Sequence, residues 1–307
     1  GVKESIFMEN IKDYSGRWRW NMVNDFRPQS IESSGIKCYP TANYVNYYGM
    51  QNGYPINDMT KADAESGYDP THPWKNRGPR FYKTIMFDGV KWKSTGGAGG
   101  TAELFTGGRE SEEANEKKGC FTAYMNSKLC PQLMNTVDGY KENNIMILSL
   151  MRLADVYLMY AEATAVGYNG PKGKAATYSL TAEEALNKIR ERAGVAPVLD
   201  KFLGSTADFL SELRRERAVE LSFEGFRFID LRRWMLLTQY PYTLKTKIEF
   251  DRADPNDYNY DEPEENAIKN LREVVLLERK YTDRHYWYPL PKKDVSMYEG
   301  FYQNPGW

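Results

Sequence analysis

The stretch ELRRERAVELSFEGFRFIDLRRW, residues 212–234, decides the fold of this chain. Its first half, with the turn before it, has the spacing of an amphipathic helix, and the apolar positions are Leu210, Leu213, Ala218 and Leu221. Its second half is a shorter amphipathic run whose apolar residues are Phe226, Phe228, Leu231 and Trp234. The stretch therefore predicts two consecutive helices.

Gly225 and the charged residues of this stretch indicate a bend between the two helices. Gly225 separates them, and glycine tolerates the left-handed backbone that ends many helices. Glu216 and Glu220 are one turn apart, and Arg217 stands close enough to Glu220 to pair with it. We therefore expect a sharp bend stabilised by ion pairs. Because acids are mixed with the arginines and the net charge is −1, the pattern argues against a nucleic-acid surface.

The composition narrows the class of protein further. The chain has 307 residues and a mean hydropathy of −0.68, and no apolar run approaches the roughly 20 residues of a membrane helix. Only two histidines and three cysteines are present, without metal-ligand spacing, which argues against a zinc site or a histidine-dependent triad. The 23 tyrosines and 7 tryptophans are typical of carbohydrate-binding surfaces and interfaces. The pairing of Cys38, Cys120 and Cys130 stays open.

Two further helices and one strand can be predicted from local pattern. ILSLMRLADVYLMYAEATAV, residues 147–166, predicts a helix with an apolar stripe at Leu150, Ala154, Tyr157, Leu158, Ala161 and Ala165. Thr181 and Glu184 form a capping-box pattern that begins a second helix, and this helix ends at Gly194. KESIFMEN, residues 3–10, predicts a strand, and because the sequence opens so close to it we expect a further part of the protein upstream.

Several of these segments, in this order, resemble the SusD/RagB family of nutrient-binding outer-membrane lipoproteins. The matching segments are RGPRFYKTIMFDG (77–89), GCFTAYMNSKLCP (119–131), RLADVYLMYAEA (152–163), NKIRERAG (187–194), residues 212–234, YPLP (288–291) and QNPGW (303–307). The family usually has Asp-Pro where this chain has Gly78-Pro79, a departure that concerns a turn. The resemblance covers the chain from about Glu4 to Trp307 and implies the C-terminal part of such a protein.

The resemblance implies a mostly α fold of SusD-like architecture. Repeat-like helix pairs of the tetratricopeptide type would carry long ordered loops and a few short strands. Within a single family domain over residues 1–307, residues 1–146 would be the loop-rich, ligand-facing part, and residues 147–240 would hold the signature helices. Residues 241–307 would comprise an acidic loop, a helix and a proline-rich tail.

The function implied by the resemblance is capture of a glycan at the cell surface and its delivery to a TonB-dependent, SusC-like outer-membrane porin. The protein would be attached to the outer membrane only by an N-terminal lipid anchor outside this sequence. No catalysis, cofactor, metal or nucleic acid is implied. We expect stacking on sugar C–H faces from four aromatic residues of the loop-rich part, with polar side chains binding the hydroxyls. These residues are Trp18, Trp20, Tyr39 and Trp74.

Three alternatives stay open from the sequence. The chain could bind only its porin partner, or it could bind a peptide or glycoprotein. A glycoside hydrolase would need two carboxylates about 5–10 Å apart, and no carboxylate motif stands out.

In the acidic loop of residues 251–265, Asp257, Asn259 and Asp261 have calcium-loop spacing, but the usual glycine and final glutamate are out of register. A solvated loop is therefore the favoured interpretation there.

Overall fold

The structure is a computed structural model that describes residues 4–8, 38–94, 98–114, 116–128, 137–138 and 149–307. The α-helices of these residues are α1 (Ala42–Val45), α2 (Pro79–Thr84), α3 (Leu153–Gly167), α4 (Ala182–Ala193), α5 (Thr206–Glu220), α6 (Phe226–Arg233) and α7 (Lys292–Val295). The strands are β1 (Ser5–Met8), β2 (Ile85–Met86), β3 (Met125–Asn126), β4 (Ser149–Arg152), β5 (Leu244–Arg252) and β6 (Ile268–Glu278). They pair antiparallel as β1–β4, β2–β3 and β5–β6.

The helices cluster in residues 153–233, where α3 packs against both α4 and α5. Their shared core contains Leu158, Leu186, Ile189, Phe209 and Leu213, all buried. Elsewhere the described residues are largely loops and short strands, so the mostly helical expectation holds for the centre of the chain. Tetratricopeptide-type pairing and the boundaries at residues 147 and 241 stay predictions. No helix in the described part is long and apolar enough to cross a membrane.

Helix α4 begins and ends as its sequence predicts. The Thr181 hydroxyl accepts a hydrogen bond from the backbone N–H of Glu184 at 3.2 Å, and the Glu184 carboxylate accepts one from the backbone N–H of Thr181 at 2.7 Å. Gly194 ends the helix in the left-handed conformation, with φ of +70°. The capping box is therefore confirmed, because both partners are close in sequence and need no distant contact.

The predicted helix over residues 147–166 begins later than expected. Helix α3 starts at Leu153, and residues 149–152 form β4, which pairs with β1. Leu150, assigned to the buried stripe, is 56% exposed. The helical pattern was overridden because a distant strand supplies the backbone hydrogen bonds of these residues. The strand expected near residues 3–10 is confirmed over Ser5–Met8.

A second core lies under the loops of residues 38–128 and is built largely from aromatic side chains. Trp74 stacks on Phe87 with 5.0 Å between ring centroids and meets the edge of Phe250 at 5.2 Å. Phe81 stacks on the Phe87 ring at 5.4 Å. Because Phe250 comes from β5, this core joins the loop-rich part to the C-terminal hairpin.

Arg77 is buried in this core, and the hydrogen bonds of its guanidinium group to the described residues all end on backbone oxygen atoms. Its guanidinium group donates to the carbonyl groups of Val45 at 3.1 Å, Tyr48 at 2.5 and 2.9 Å, and Pro73 at 3.0 Å. Its central carbon lies 4.4 Å from the centroid of the Phe81 ring. No carboxylate of the described residues pairs with it, and burial lowers the pKa of Arg77. One side chain thus ties the end of α1 to two points of the loops that follow it.

Strands β5 and β6 form the longest sheet of the described residues, in a region expected to hold a helix. Leu244 pairs with Glu278 and Arg252 with Ile268 across the hairpin. Every second residue of β5 is buried from Thr246 onward, as expected for a strand with one face on the core. The only α-helix after β6 is the single turn α7 within this described segment. The hairpin adds to the expected acidic loop, helix and proline-rich tail of residues 241–307, a division that stays a prediction.

Candidate functional site

The bend between α5 and α6 is confirmed. Helix α5 ends at Glu220, and Gly225 adopts φ of +89° immediately before α6 begins. The carboxylates of Glu212, Glu216 and Glu220 on α5 are buried in the protein rather than exposed to solvent. Arg190 binds Glu212 at 2.6 Å, and Arg80 binds Glu216 at 2.6 Å.

Glu220 is the centre of this ion-pair network. Its carboxylate accepts hydrogen bonds from Arg80 at 2.8 Å, from Arg152 at 2.6 Å and from Arg192. Burial alone would raise the pKa of Glu220, but the charges of these arginines outweigh burial and lower the pKa to about 2. Glu220 is therefore ionised at neutral pH and stabilises the junction between helices and loops.

The predicted pair of Arg217 with Glu220 is wrong. Arg217 instead donates to Asp155 on α3 at 2.5 Å and to Asp230 on α6 at 2.7 Å. Spacing on one helix suggests a local pair, but the buried guanidinium binds acids from two other helices. The corner is consequently a three-helix junction, which local sequence cannot reveal.

The structure tests the exposure of two of the four aromatic residues expected to stack on sugar. Trp18 and Trp20 lie outside the described residues. Trp74 was expected to be exposed, and this is wrong, because its side chain is 0% exposed between Phe87 and Phe250. Its position between prolines suggested a surface loop, whereas Phe87 stacks on the ring and Phe250 packs against it in a T-shaped contact. Tyr39 is half-buried and keeps access to the surface.

Tyr39 forms an aromatic surface with Phe121. Their ring centroids are 5.8 Å apart and the rings are tilted by 41°. Burial, followed by nearby Cys120 and Glu112, raises the pKa of Tyr39 to about 12, so its hydroxyl stays protonated. Phe121 also lines a shallow cleft. Phe121 was missed in the sequence, because nothing local indicates that it meets Tyr39.

The polar wall of this cleft comes from Lys247 and Glu249 on strand β5 and from the loop residues Thr106, Ser111, Glu112 and Glu113. Lys247 contacts Glu249 at 2.9 Å and Glu112 at 3.2 Å, and Arg272 on β6 contacts Glu249 at 2.5 Å. The hydrogen bond from Lys247 is the main reason that the pKa of Glu249 is lowered. Because alternate β5 residues face outward, the strand presents Lys247 and Glu249 on the same side. The alternation in LKTKIEFDR was the sequence signal for this wall.

The acidic loop differs in part from its expected solvated form. Tyr258 is buried, its hydroxyl donates to Asp88 at 2.9 Å, and its ring centroid lies 3.8 Å from the guanidinium carbon of Arg252. Asn259 uses its side-chain oxygen to accept backbone hydrogen bonds from within the loop. The part of the chain that the structure describes contains no group of three or more histidine, cysteine, aspartate or glutamate residues placed to hold a metal ion.

Comparison with known proteins agrees with this architecture. The model of the SusD family matches residues 3–307. The fold is similar to that of a SusD-like protein from Bacteroides fragilis NCTC 9343, with a TM-score of 0.69 and 21% identity, over 99% of this chain and 54% of that one. No curated protein matches the chain significantly.

More distant similarities involve two further solved structures. One is a SusD superfamily protein from Parabacteroides distasonis ATCC 8503, with a TM-score of 0.47 and 17% identity, over 99% of this chain and 50% of that one. The other is surface glycan-binding protein A from Bacteroides fluxus, with a TM-score of 0.44 and 21% identity, over 100% of this chain and 51% of that one. The chain spans about half the length of these structures. Because the family match covers nearly the whole sequence, the chain belongs to the SusD family.

Proposed function

We propose that this chain binds a glycan through the surface formed by Tyr39, Phe121 and the adjoining polar cleft. The observation that carries the proposal is an accessible aromatic pair beside outward-facing charged groups, in a chain of the SusD family. A sugar ring has C–H bonds on one face and hydroxyls around its edge. The aromatic pair can pack against the C–H face, and the polar groups of the cleft can bind the hydroxyls.

The polar groups suit binding rather than bond cleavage. Lys247 donates to Glu249, and the lowered pKa of Glu249 keeps it ionised at neutral pH. A glycosidase needs one carboxyl group that stays protonated to donate to the leaving oxygen. Glu249 instead accepts hydrogen bonds, which suits recognition of sugar hydroxyls.

We further propose that the complete protein presents this surface outside the cell and passes the glycan to a TonB-dependent, SusC-like porin. Membership of the SusD family supports this role. An N-terminal lipid anchor would hold the protein at the outer membrane, and helices α3 to α5, paired as in tetratricopeptide repeats, would serve as its scaffold. Trp18 and Trp20 stay candidates for the same glycan surface.

The proposal is tested with Tyr39→Ala and Phe121→Ala, and Tyr302→Ala serves as control because that ring is 82% exposed elsewhere in the chain. Retardation in native gels containing soluble polysaccharides measures affinity, and thermal unfolding checks the fold. We expect about a tenfold loss of affinity for the first two variants, as for the loss of one aromatic contact. Equal retardation of all three variants and the wild type would overturn the site. No retardation by any polysaccharide would favour the porin-only alternative.

A further inference from the structure

A second and larger cleft opens beside the bend between α5 and α6. Its wall includes Tyr47, Tyr242 and three arginines, which are Arg214, Arg215 and Arg227. This cleft shares no lining residue with the surface of Tyr39 and Phe121. It therefore calls for a separate explanation.

Arg227 is held between the two tyrosines of the cleft. Its guanidinium carbon lies 4.8 Å from the centroid of the Tyr47 ring and 5.5 Å from that of Tyr242. No carboxylate of the described residues forms an ion pair with Arg227 or Arg214. The Nε of Arg214 is buried without a hydrogen-bond partner among those residues, and its guanidinium carbon lies 5.3 Å from the ring centroid of Trp234. Aromatic rings thus position both guanidinium groups without neutralising them.

The carboxylate that lines this cleft already forms ion pairs with arginines. Among the lining residues that the structure describes, Glu212 carries the negative charge. One of its oxygens binds Arg190 at 2.6 Å and Arg215 at 2.5 Å, and the other binds Arg215 at 2.8 Å. Arg215 and Arg190 therefore compensate Glu212, and the charges of Arg214 and Arg227 stay in excess.

Lys245 on β5 adds to the positive field. Its side chain is largely buried, and burial, then the charges of Arg279 and Arg227, lower the pKa of Lys245 to about 8. Because this pKa is above 7, Lys245 carries a positive charge at neutral pH, and no carboxylate of the described residues pairs with it. Excess cationic groups, held in place beside aromatic rings, form a site for an anion.

We propose that this cleft binds the acidic group of a glycan, either a carboxylate or a sulfate on the sugar. The guanidinium groups of Arg214 and Arg227 would bind its oxygens, and Tyr47 and Tyr242 would border the ring that carries it. The proposal rests on the proposed glycan-binding function and names the class of glycan.

The test compares Arg227→Gln and Arg214→Gln with the wild type. Arg284→Gln is the matched control, because Arg284 lies 4.8 Å from the ring centroid of Trp307 and is exposed. The probes are polygalacturonate, methyl-esterified polygalacturonate, chondroitin sulfate and desulfated chondroitin. The first two probes differ in the charge of the sugar carboxylate, and the last two differ in the sulfate group. Gel retardation gives affinity, and thermal unfolding confirms that each variant folds.

We expect the two cleft variants to lose at least about tenfold in affinity for a charged probe, as for loss of a charge-assisted contact. The control should bind as the wild type, and salt should weaken wild-type binding through screening. Loss with esterification identifies a carboxylate ligand, and loss with desulfation identifies a sulfate ligand. No binding of any charged probe, or equal binding by Arg227→Gln, Arg214→Gln and wild type, overturns the proposal.

The two proposals fail in different ways. If Tyr39→Ala binds every glycan normally while Arg227→Gln loses charged ones, the surface of Tyr39 is wrong and the cationic cleft stands. If Tyr39→Ala loses binding while Arg227→Gln and Arg214→Gln keep it for all probes, the cleft is wrong and the proposed glycan surface stands.

Discussion

Replacing Glu220 by glutamine should weaken the whole junction of helices and loops. The side chain is buried and accepts hydrogen bonds from Arg80 on α2, Arg152 on β4 and Arg192 on α4. Glutamine has nearly the same shape but carries no charge. The Glu220→Gln variant therefore removes the attraction that holds three elements together while leaving the space filled.

The magnitude follows from the pKa of Glu220, which falls from 4.5 to about 2 on folding. A difference of one pKa unit corresponds to about 1.4 kcal/mol, so the ionised carboxylate contributes about 3 kcal/mol. Because the folded pKa is the lower one, this contribution is complete above pH 4.5 and is lost as the pH falls toward 2. The variant lacks it at every pH. The difference from wild type should thus be about 3 kcal/mol at pH 7 and about 1 kcal/mol at pH 3.

Urea unfolding at pH 7, 4.5 and 3, followed by tryptophan fluorescence, measures this difference. Glu191→Gln is a matched control on α4, because its side chain is 75% exposed and pairs only weakly with Lys188 at 3.6 Å. The control should change the free energy of unfolding by less than about 0.5 kcal/mol. The reasoning is refuted if Glu220→Gln costs no more than the control, or if its cost is the same at pH 7 and pH 3.

Four further substitutions test other parts of the structure. Lys245→Met should raise the free energy of unfolding by about 3 kcal/mol at pH 7, because burial lowers the pKa of Lys245 from 10.5 to about 8. The gain should shrink as the pH rises from 8 to 10.5, and a gain that does not change with pH would contradict this cause. Thr181→Ala should cost about 1 kcal/mol in urea unfolding by removing the N-cap hydroxyl of α4, and no loss would show that the cap is dispensable. Gly225→Ala should cost about 1 kcal/mol for its φ of +89°, and Gly89→Ala should cost at least about 2 kcal/mol more, because its added Cβ would lie 2.3 Å from the Tyr258 hydroxyl. Equal melting temperatures of the two alanine variants would argue against that contact.

The features that sequence predicted well depend on neighbours along the chain. The Thr181 capping box and the bend at Gly225 involve contacts within a few residues, and both are present. The start of α3 at Leu153 was misplaced because the residues before it form β4, which pairs with β1, almost 150 residues away in sequence. The ion pairs of Arg217 were misassigned for the same reason, since its partners lie on α3 and α6.

The residues of the candidate site depend even more on contacts between distant parts of the chain. The sequence indicated that aromatic residues of the loop-rich part matter, and Tyr39 does reach the surface. The sequence could not show that Tyr39 is accessible and Trp74 is buried. Burial of Trp74 depends on Phe250, which lies in the β5–β6 hairpin, and this hairpin was not predicted. Burial of one aromatic residue is set by where distant strands pass over it, and local composition carries no information about that path.

The anchoring of Arg77 has a consequence for how freely these loops can vary. Its hydrogen bonds end on the carbonyl oxygens of Val45, Tyr48 and Pro73, and every amino acid has such an oxygen. Exchange of outward-facing side chains elsewhere in these loops therefore removes no acceptor from the guanidinium group. A loop frame held in this way keeps its shape while its outward residues are exchanged. The same backbone could thus present different recognition surfaces over evolutionary time.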